Sequence, residues 1–370
     1  MNYRVIGLMS GSSLDGLDIA FAEFEEQAGK WTFEIRNTSS NPYPDEWVKR
    51  LQNASALNAY DYLLLHCDYG HWLGEQVNEF IRFNHLDYKI QLVASHGHTV
   101  FHAPARKMTA QLGDGAALAA VTGLPVVSDL RSMDLARGGQ GAPIVPIGEK
   151  LLWSDFDLFL NLGGIANLTA GERVSASGAW QAFDVCPANR VLNLIAGTVG
   201  KLYDEDGKLA AEGKPVPELL SNLNSLDYYG KPYPKSLANE FGTDFIFPMI
   251  KNYDMSTEDA LFTYVEHIIE QVGRSVKEVV ASEILGNSPM QMLVTGGGAL
   301  NLHLASRLKM EMSHQKIDVV IPEKTLINFK EALVMALIGI MRWRDEPNTM
   351  STVTGATSDS INGAVYMGRN

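Results

Sequence analysis

Apolar and polar positions alternate through the opening of the chain. Residues 3–8, 17–24 and 31–36 each read as a strand, and together they predict an antiparallel meander. The spacing then becomes helical over residues 45–52 and, at greater length, over 60–83, where Leu63, Leu64, Cys67, Trp72, Leu73, Val77, Phe80 and Ile81 recur at helical intervals. Short β-rich runs at 90–94 and 125–130 bracket a helical stretch at 115–121. The same order of patterns starts again at residue 156. Strands are predicted at 156–162, 165–170 and 180–185, followed by helices from Asn189 and Pro217 and over 257–284. A buried-type strand at 292–295, a helix at 300–312, a strand at 318–321 and a last helix at 330–344 complete the chain. The pattern predicts an α/β fold in two halves of like order. No low-complexity linker divides them, and residues 133–146 offer the best boundary.

Glycine-rich turns sit at the ends of these strands. The first, Gly-Leu-Met-Ser-Gly-Ser-Ser-Leu-Asp-Gly-Leu-Asp at 7–18, is a hairpin tip. Gly7, Gly11 and Gly16 would allow positive φ and close approach of a ligand, and Ser10, Ser12 and Ser13 add hydroxyls. Asp15 and Asp18 would repel a bare phosphate, so they make sense beside a divalent cation or a water. Gly163-Gly164 and Gly296-Gly297-Gly298 each follow a strand, the end at which α/β sheets bind ligands. Any one cluster is as readily an ordinary turn, but three together suit a nucleotide. Neither the Walker phosphate loop nor the Gly-x-Gly-x-x-Gly fingerprint occurs.

Other candidates keep two readings. His96, His98 and His102 could contact a sugar or serve structure, and their spacing matches no standard zinc set. Arg131 and Arg137, beside a glycine turn, could anchor a carboxylate-bearing ligand or form a salt-bridged loop. Asp184, near the end of a strand, could be a general base or a helix N-cap. Cys186 as a nucleophile would need a histidine partner that the sequence does not show.

Composition narrows the partners. The 370 residues are 46% hydrophobic and 20% charged, with a net charge of −13 and no basic block, which argues against a nucleic-acid or anionic-membrane partner. Two cysteines, no signal peptide and no long apolar run point to the cytoplasm. The sequence leaves oligomeric state open, a homodimer included.

Eight motifs in order carry a family resemblance: 7–18, Ser-His-Gly-His-Thr at 95–99, Gln-Leu-Gly-Asp at 111–114 and Gly-Gly-Gln-Gly-Ala-Pro at 138–143 in the first half. Leu-Asn-Leu-Gly-Gly-Ile-Ala-Asn-Leu at 160–168, Phe183-Asp184 with Pro187 and Asn189, Val-Thr-Gly-Gly-Gly-Ala-Leu-Asn at 294–301 and Val-Thr-Gly-Ala at 353–356 follow. The chain resembles the anhydro-N-acetylmuramic acid kinases from about residue 5 onward. The resemblance implies an actin- and hexokinase-like fold of two ribonuclease-H-like domains with ATP and magnesium in the interdomain cleft. It implies domains at 1–130 and 131–344, with the segment from about 345 to 370 returning to the first. The implied reaction phosphorylates oxygen 6 of 1,6-anhydro-N-acetylmuramic acid while water opens the anhydro ring, giving N-acetylmuramic acid 6-phosphate and ADP in cell-wall sugar recycling.

The implied ATP-binding residues are Gly11, Ser12, Ser13, Leu14, Asp15, Gly16, Leu17, Asp18, Gly163, Gly164, Gly296, Gly297 and Gly298. Asp184 would be the base that activates water. Thr99, Arg131 and Glu331 would contact the sugar, with a plain helix start as the competing reading of Glu331. No metal-ligand set is assigned; magnesium is expected with ATP, near Asp15 or Asp18. Departures from the family pattern cluster at Cys186, Ala188 and Asn193 and at 237–240, and His98 replaces a usual Gln. They motivate two rivals: an amino-sugar kinase with another substrate, or a non-catalytic nucleotide- or sugar-binding sensor.

Overall fold

The computed structural model describes residues 1–11, 14–233, 235–238 and 240–368. The chain packs as two compact units, Met1–Trp153 with Phe329–Asn370, and Ser154–Asn328.

In the first unit, β1 (Asn2–Ser10), β2 (Gly16–Gln27) and β3 (Lys30–Pro42) form the meander that the alternation predicts. β1 also pairs in parallel with β4 (Leu92–Ser95). A separate hairpin, β5 (His98–Ala103) and β6 (Met108–Leu112), precedes β7 (Val126–Ser128), which lies parallel to β4. The C-terminal strand Ala364–Tyr366 adds antiparallel to β7 at the edge. The β5–β6 hairpin and the C-terminal strand escape sequence reading because both are short and mostly half-buried, with no clear alternation. The helix Ala59–Phe83 covers one face, started by Asn58, whose side chain accepts the Asp61 N–H at 3.0 Å. Its buried residues Leu65, Tyr69, Leu73, Val77 and Phe80 join Ile6, Leu8, Ile19 and Phe21 in one core.

In the second unit, β8 (Leu158–Leu162), β9 (Ile165–Ala170) and β10 (Gln181–Pro187) form a second meander. β11 (Met290–Thr295) runs parallel to β8, and β12 (Ile317–Val320) parallel to β11. The order β10-β9-β8-β11-β12 repeats β3-β2-β1-β4-β7, with the second strand of each set antiparallel to its neighbours. This is the ribonuclease-H-like arrangement, present once in each unit. The long helix Thr257–Val279 packs Leu261, Tyr264, Val265, Ile268 and Val272 into the second core. It ends five residues before the expected residue 284, and Val280 is extended instead.

The unit boundaries differ from 130 and 344. Residues 131–153 belong to the first unit because Asp134, in the short helix Ser132–Ala136, bonds Thr354 and Asn362, and Glu149 pairs with Lys330 at 2.5 Å. Residues 329–344 join it because Ala332 packs against β1: a Cβ on Gly7 would lie 1.9 Å from the Ala332 carbonyl oxygen.

Candidate active site

The glycines of the first hairpin serve packing more than expected. Gly7 admits the helix Lys324–Trp343, and a Cβ on Gly16 would meet the Asn41 carbonyl oxygen at 2.4 Å. Neither has positive φ, which corrects the conformational role expected of them; Leu14 does, at 60°. Ser12 and Ser13 lie outside the described residues. Gly11 follows β1, and Leu17 pairs with Ser10 to close the hairpin.

A buried hydrogen-bonded chain braces this tip from beneath. Tyr43 donates to Ser10 Oγ at 2.7 Å and shares a 2.5 Å bond with the Tyr69 hydroxyl. Ser10 Oγ lies 3.2 Å from His98 Nδ1, and His98 also bonds the Gly11 backbone. Burial pulls the His98 imidazole down to about 4, so it is neutral near pH 7. No sequence motif pointed to Tyr43 or Tyr69.

Asp18 is half-buried in β2. Burial raises its carboxyl, the Ser40 hydroxyl acts the other way, and the Asp15 charge adds to the rise. Glu331 does not start a helix, because Lys324–Trp343 begins two turns earlier; it is half-buried inside that helix. Burial raises its carboxyl, Lys330 opposes this, and the Asp18 and Asp15 charges raise it further. Mutual repulsion among carboxylates is relieved by a cation, and a magnesium ion bound with phosphates and waters needs only one or two of them. Asp15 and Asp18 fit that demand.

Thr99 and Arg131 are brought together. The Arg131 guanidinium, buried, donates to Thr99 Oγ1 at 3.1 Å and to the Gly141 carbonyl oxygen at 2.7 Å, with His102 against its Nη2 at 3.3 Å. Burial lowers Arg131 to about 10 and His102 to about 4, the latter helped by the Arg131 charge. Asp134 holds the loop by accepting from Gly141 N–H and from Thr354 Oγ1, both at 2.7 Å. The 353–356 motif is thereby a brace for the Arg131 loop. Arg137 instead donates to Ser358 and the Asp359 carbonyl, a structural role. His96 is buried with Nδ1 on the Gly97 carbonyl oxygen, so the three histidines face different partners. Asp114, from the 111–114 motif, caps the helix Gly115–Thr122 through the Ala116 N–H.

Within the second unit, Asp184 sits on β10 beside a β-bulge that interrupts pairing between Asp184 and Cys186. It caps no helix: the helix Asn189–Gly197 follows Ala188. The Leu237 N–H donates to Asp184 Oδ2 at 2.8 Å, the Asp184 N–H donates to the Lys235 carbonyl at 3.0 Å, and the Tyr228 hydroxyl donates to the Asp184 carbonyl at 2.7 Å. Oδ1 has no hydrogen-bond partner among the described residues. Burial pushes the carboxyl up to about 6, with the Leu237 N–H acting against it. Such a carboxylate, ionised near neutrality with one oxygen unoccupied, can take a proton from water. Cys186 is buried and its thiol pushed far up, so it is no nucleophile.

Asn189 ties two glycine turns to this segment. Its Nδ2 donates to the Leu162 carbonyl oxygen at 2.8 Å, and a Cβ on Gly298 would meet its Oδ1 at 2.9 Å. Gly163 and Gly164 accept from the Asn189 and Ala188 N–H groups at 3.0 and 2.9 Å. Gly296, with φ of 81°, lies where a Cβ would be 2.6 Å from Asn161 Oδ1. Beside Gly296–Gly298 is a cavity of about 460 Å³, lined by Leu300, Leu302, Ala305, Lys309 and Ile327 among others, which sequence reading missed.

A family model described as anhydro-N-acetylmuramic acid kinase matches residues 3–368. Proteins named anhydro-N-acetylmuramic acid kinase from Hydrogenovibrio crunogenus, Sulfurimonas denitrificans and Rhodococcus erythropolis are 31%, 32% and 33% identical to the chain. These alignments cover 98%, 99% and 99% of this chain and 97%, 100% and 94% of those relatives, respectively. Among the described residues no helix is long and apolar enough to cross a membrane. With an ordered match over nearly its whole length, the chain belongs to the anhydro-N-acetylmuramic acid kinase family, sugar kinases that use ATP.

Proposed function

We propose that the chain transfers the terminal phosphoryl group of ATP to oxygen 6 of 1,6-anhydro-N-acetylmuramic acid as water opens the anhydro bond. The observation that carries this reading is the Asp184 carboxyl, raised to about 6 and with Oδ1 unpartnered among the described residues. Water attacks the anomeric carbon and gives its proton to Asp184, the bond from that carbon to oxygen 6 breaks, and oxygen 6 forms its bond to phosphorus as ADP leaves. The products are N-acetylmuramic acid 6-phosphate and ADP. A fixed general base contributes about 10²–10⁴-fold. Bonding of oxygen 6 to phosphorus replaces the general acid that an ordinary glycosidase needs.

The residues 11–18 and the turns Gly163-Gly164 and Gly296–Gly298 are assigned to ATP, and the apolar cavity beside the last turn suits its nucleoside. Asp15 and Asp18 would hold magnesium through ATP, and that ion would neutralise charge on the phosphoryl oxygens. Thr99, Arg131 and Glu331 are assigned to the sugar, Arg131 to its lactyl carboxylate, which a guanidinium bonds in bidentate fashion. The acceptor is an alcohol group of a small amino sugar. The net charge of −13 argues against a nucleic-acid or anionic-membrane partner, and with only two cysteines the chain is assigned to the cytoplasm.

Incubation with ATP, magnesium and a panel of amino sugars, with ADP and phosphosugar measured, tests the reading. Turnover of the 1,6-anhydro sugar in water of heavy oxygen should place label at the anomeric hydroxyl. Product without label there, or turnover of a different sugar alone, would refute it. The second outcome would support a divergent amino-sugar kinase, to which the Leu237 contact on Asp184 gives some weight, since 237–240 departs from the family pattern. Nucleotide binding without turnover on any sugar would leave the sensor.

A further inference from the structure

The glycines of the Gly163-Gly164 turn differ from those of the other turns. A Cβ on Gly163 would meet nothing closer than 3.4 Å, and one on Gly164 nothing closer than 3.8 Å. Neither has positive φ. Neither packing nor backbone conformation therefore requires glycine here, in contrast to Gly296 and Gly298, where a Cβ would collide with Asn161, Leu162 or Asn189. Both positions would accommodate a Cβ at ordinary contact distance.

Arg190 borders the turn. The nearest atoms to a Cβ on Gly164 are Arg190 Nε at 3.8 Å and Nη2 at 3.9 Å. Among the described residues its buried Nε has no hydrogen-bond partner and its guanidinium forms no ion pair. A buried donor left without a partner is costly, more so when it carries charge. The position adds to the cost: Arg190 is in the first turn of the helix Asn189–Gly197, where a cation opposes the helix dipole. The backbone N–H groups of Ala188, Asn189 and Arg190 already donate to Gly163 and Gly164, so they are committed to the turn. An anion lying over the turn would satisfy the guanidinium and remove both penalties.

We propose that Arg190 is an anion-binding residue that holds the phosphate chain of ATP over the Gly163-Gly164 turn. The inference rests on the nucleotide role proposed above for that turn. A guanidinium there bonds two phosphate oxygens at once and offsets charge that grows during transfer.

The test compares Arg190→Met, Arg190→Lys and Gly164→Val in the full chain, measuring affinity for ATP, ADP and adenosine and the KM of each substrate. Arg190→Met should weaken ATP binding about tenfold or more, leave adenosine affinity unchanged, and flatten the salt dependence of ATP binding. Arg190→Lys keeps the charge and should recover part of the loss; it also serves if the methionine variant fails to fold. Gly164→Val fills the space and should weaken ATP as well. If Gly164→Val weakens ATP but both Arg190 variants bind it normally, the Arg190 inference is overturned and the turn's role stands. If none of the three alters ATP affinity, the nucleotide assignment of the turn falls too. A rise confined to the sugar KM would overturn the inference by placing the guanidinium on the sugar carboxylate.

Discussion

The backbone N–H of Leu237 donates to Oδ2 of Asp184 at 2.8 Å, across 53 residues of chain. The 237–240 segment therefore reaches the carboxylate of a strand that lies far from it in the sequence. The bond fixes one oxygen, while burial raises the carboxyl to about 6.

Asp184→Asn should reduce turnover by about 10²–10⁴-fold with ATP affinity nearly unchanged. The amide oxygen can still accept from Leu237, so the loop should stay in place. In the wild type, kcat/KM for the sugar should rise with pH through about 6, where Asp184 ionises. Stability has the opposite sign. A carboxyl raised above its ordinary 3.8 contributes stability that is fully present below that value and is lost as pH rises through about 6. Asp184→Asn should accordingly melt higher than the wild type at pH 7 and no higher at pH 4. Full activity in the variant would remove Asp184 from the mechanism.

Arg131→Lys should raise the sugar KM by about 10–100-fold and leave the ATP KM within twofold or so. The guanidinium spans Thr99, Gly141 and any bound carboxylate, which one ammonium cannot do, and a hydrogen bond to a charged group is worth about 1.5–3 kcal/mol. Steady-state kinetics with each substrate varied in turn decides this. Equal effects on both KM values would point to collapse of the loop instead.

Gly7→Ala and Gly163→Ala should separate packing from binding. The first forces a Cβ into the Ala332 carbonyl and should cost about 1–3 kcal/mol or more in thermal unfolding. The second has room and should leave the melting temperature close to the wild type while weakening ATP. Nucleotide titration and calorimetry on both variants provide the comparison.

Acid should destabilise the protein through its buried histidines. His96 and His98 are each held near 4, and His267 near 3, chiefly by burial. A depressed imidazole contributes stability that is present above its ordinary 6.5 and is lost as pH falls through the folded value. Unfolding free energy should therefore fall between about pH 6.5 and pH 3–4, against the smaller opposite trend from Asp184. His98→Gln, which can still bond Ser10, should flatten the slope; His98→Leu should also lower stability by about 1–3 kcal/mol, because it leaves buried donors unmade. Urea unfolding at several pH values measures both effects, and an unchanged slope in His98→Gln would exclude this residue as a contributor.

Periodicity alone determined the two meanders and most of the helices, because amphipathic spacing records which side of an element is buried. The ordered motifs also determined the family, since eight short stretches in sequence leave little to chance. Roles within the motifs were another matter. Gly7, Gly16 and Gly163 look alike as letters, yet the first two make room for a neighbouring backbone and the third would accept a Cβ at ordinary contact distance. Glu331 looked like a helix start, yet seven earlier residues belong to its helix. Tyr43 and Tyr69 carried no motif, and Arg190 is one letter beside an asparagine. What each side chain meets is set by segments tens or hundreds of residues away, and no local pattern encodes that. Only the folded chain brings Leu237 to Asp184, and with it the carboxylate on which the proposed chemistry turns.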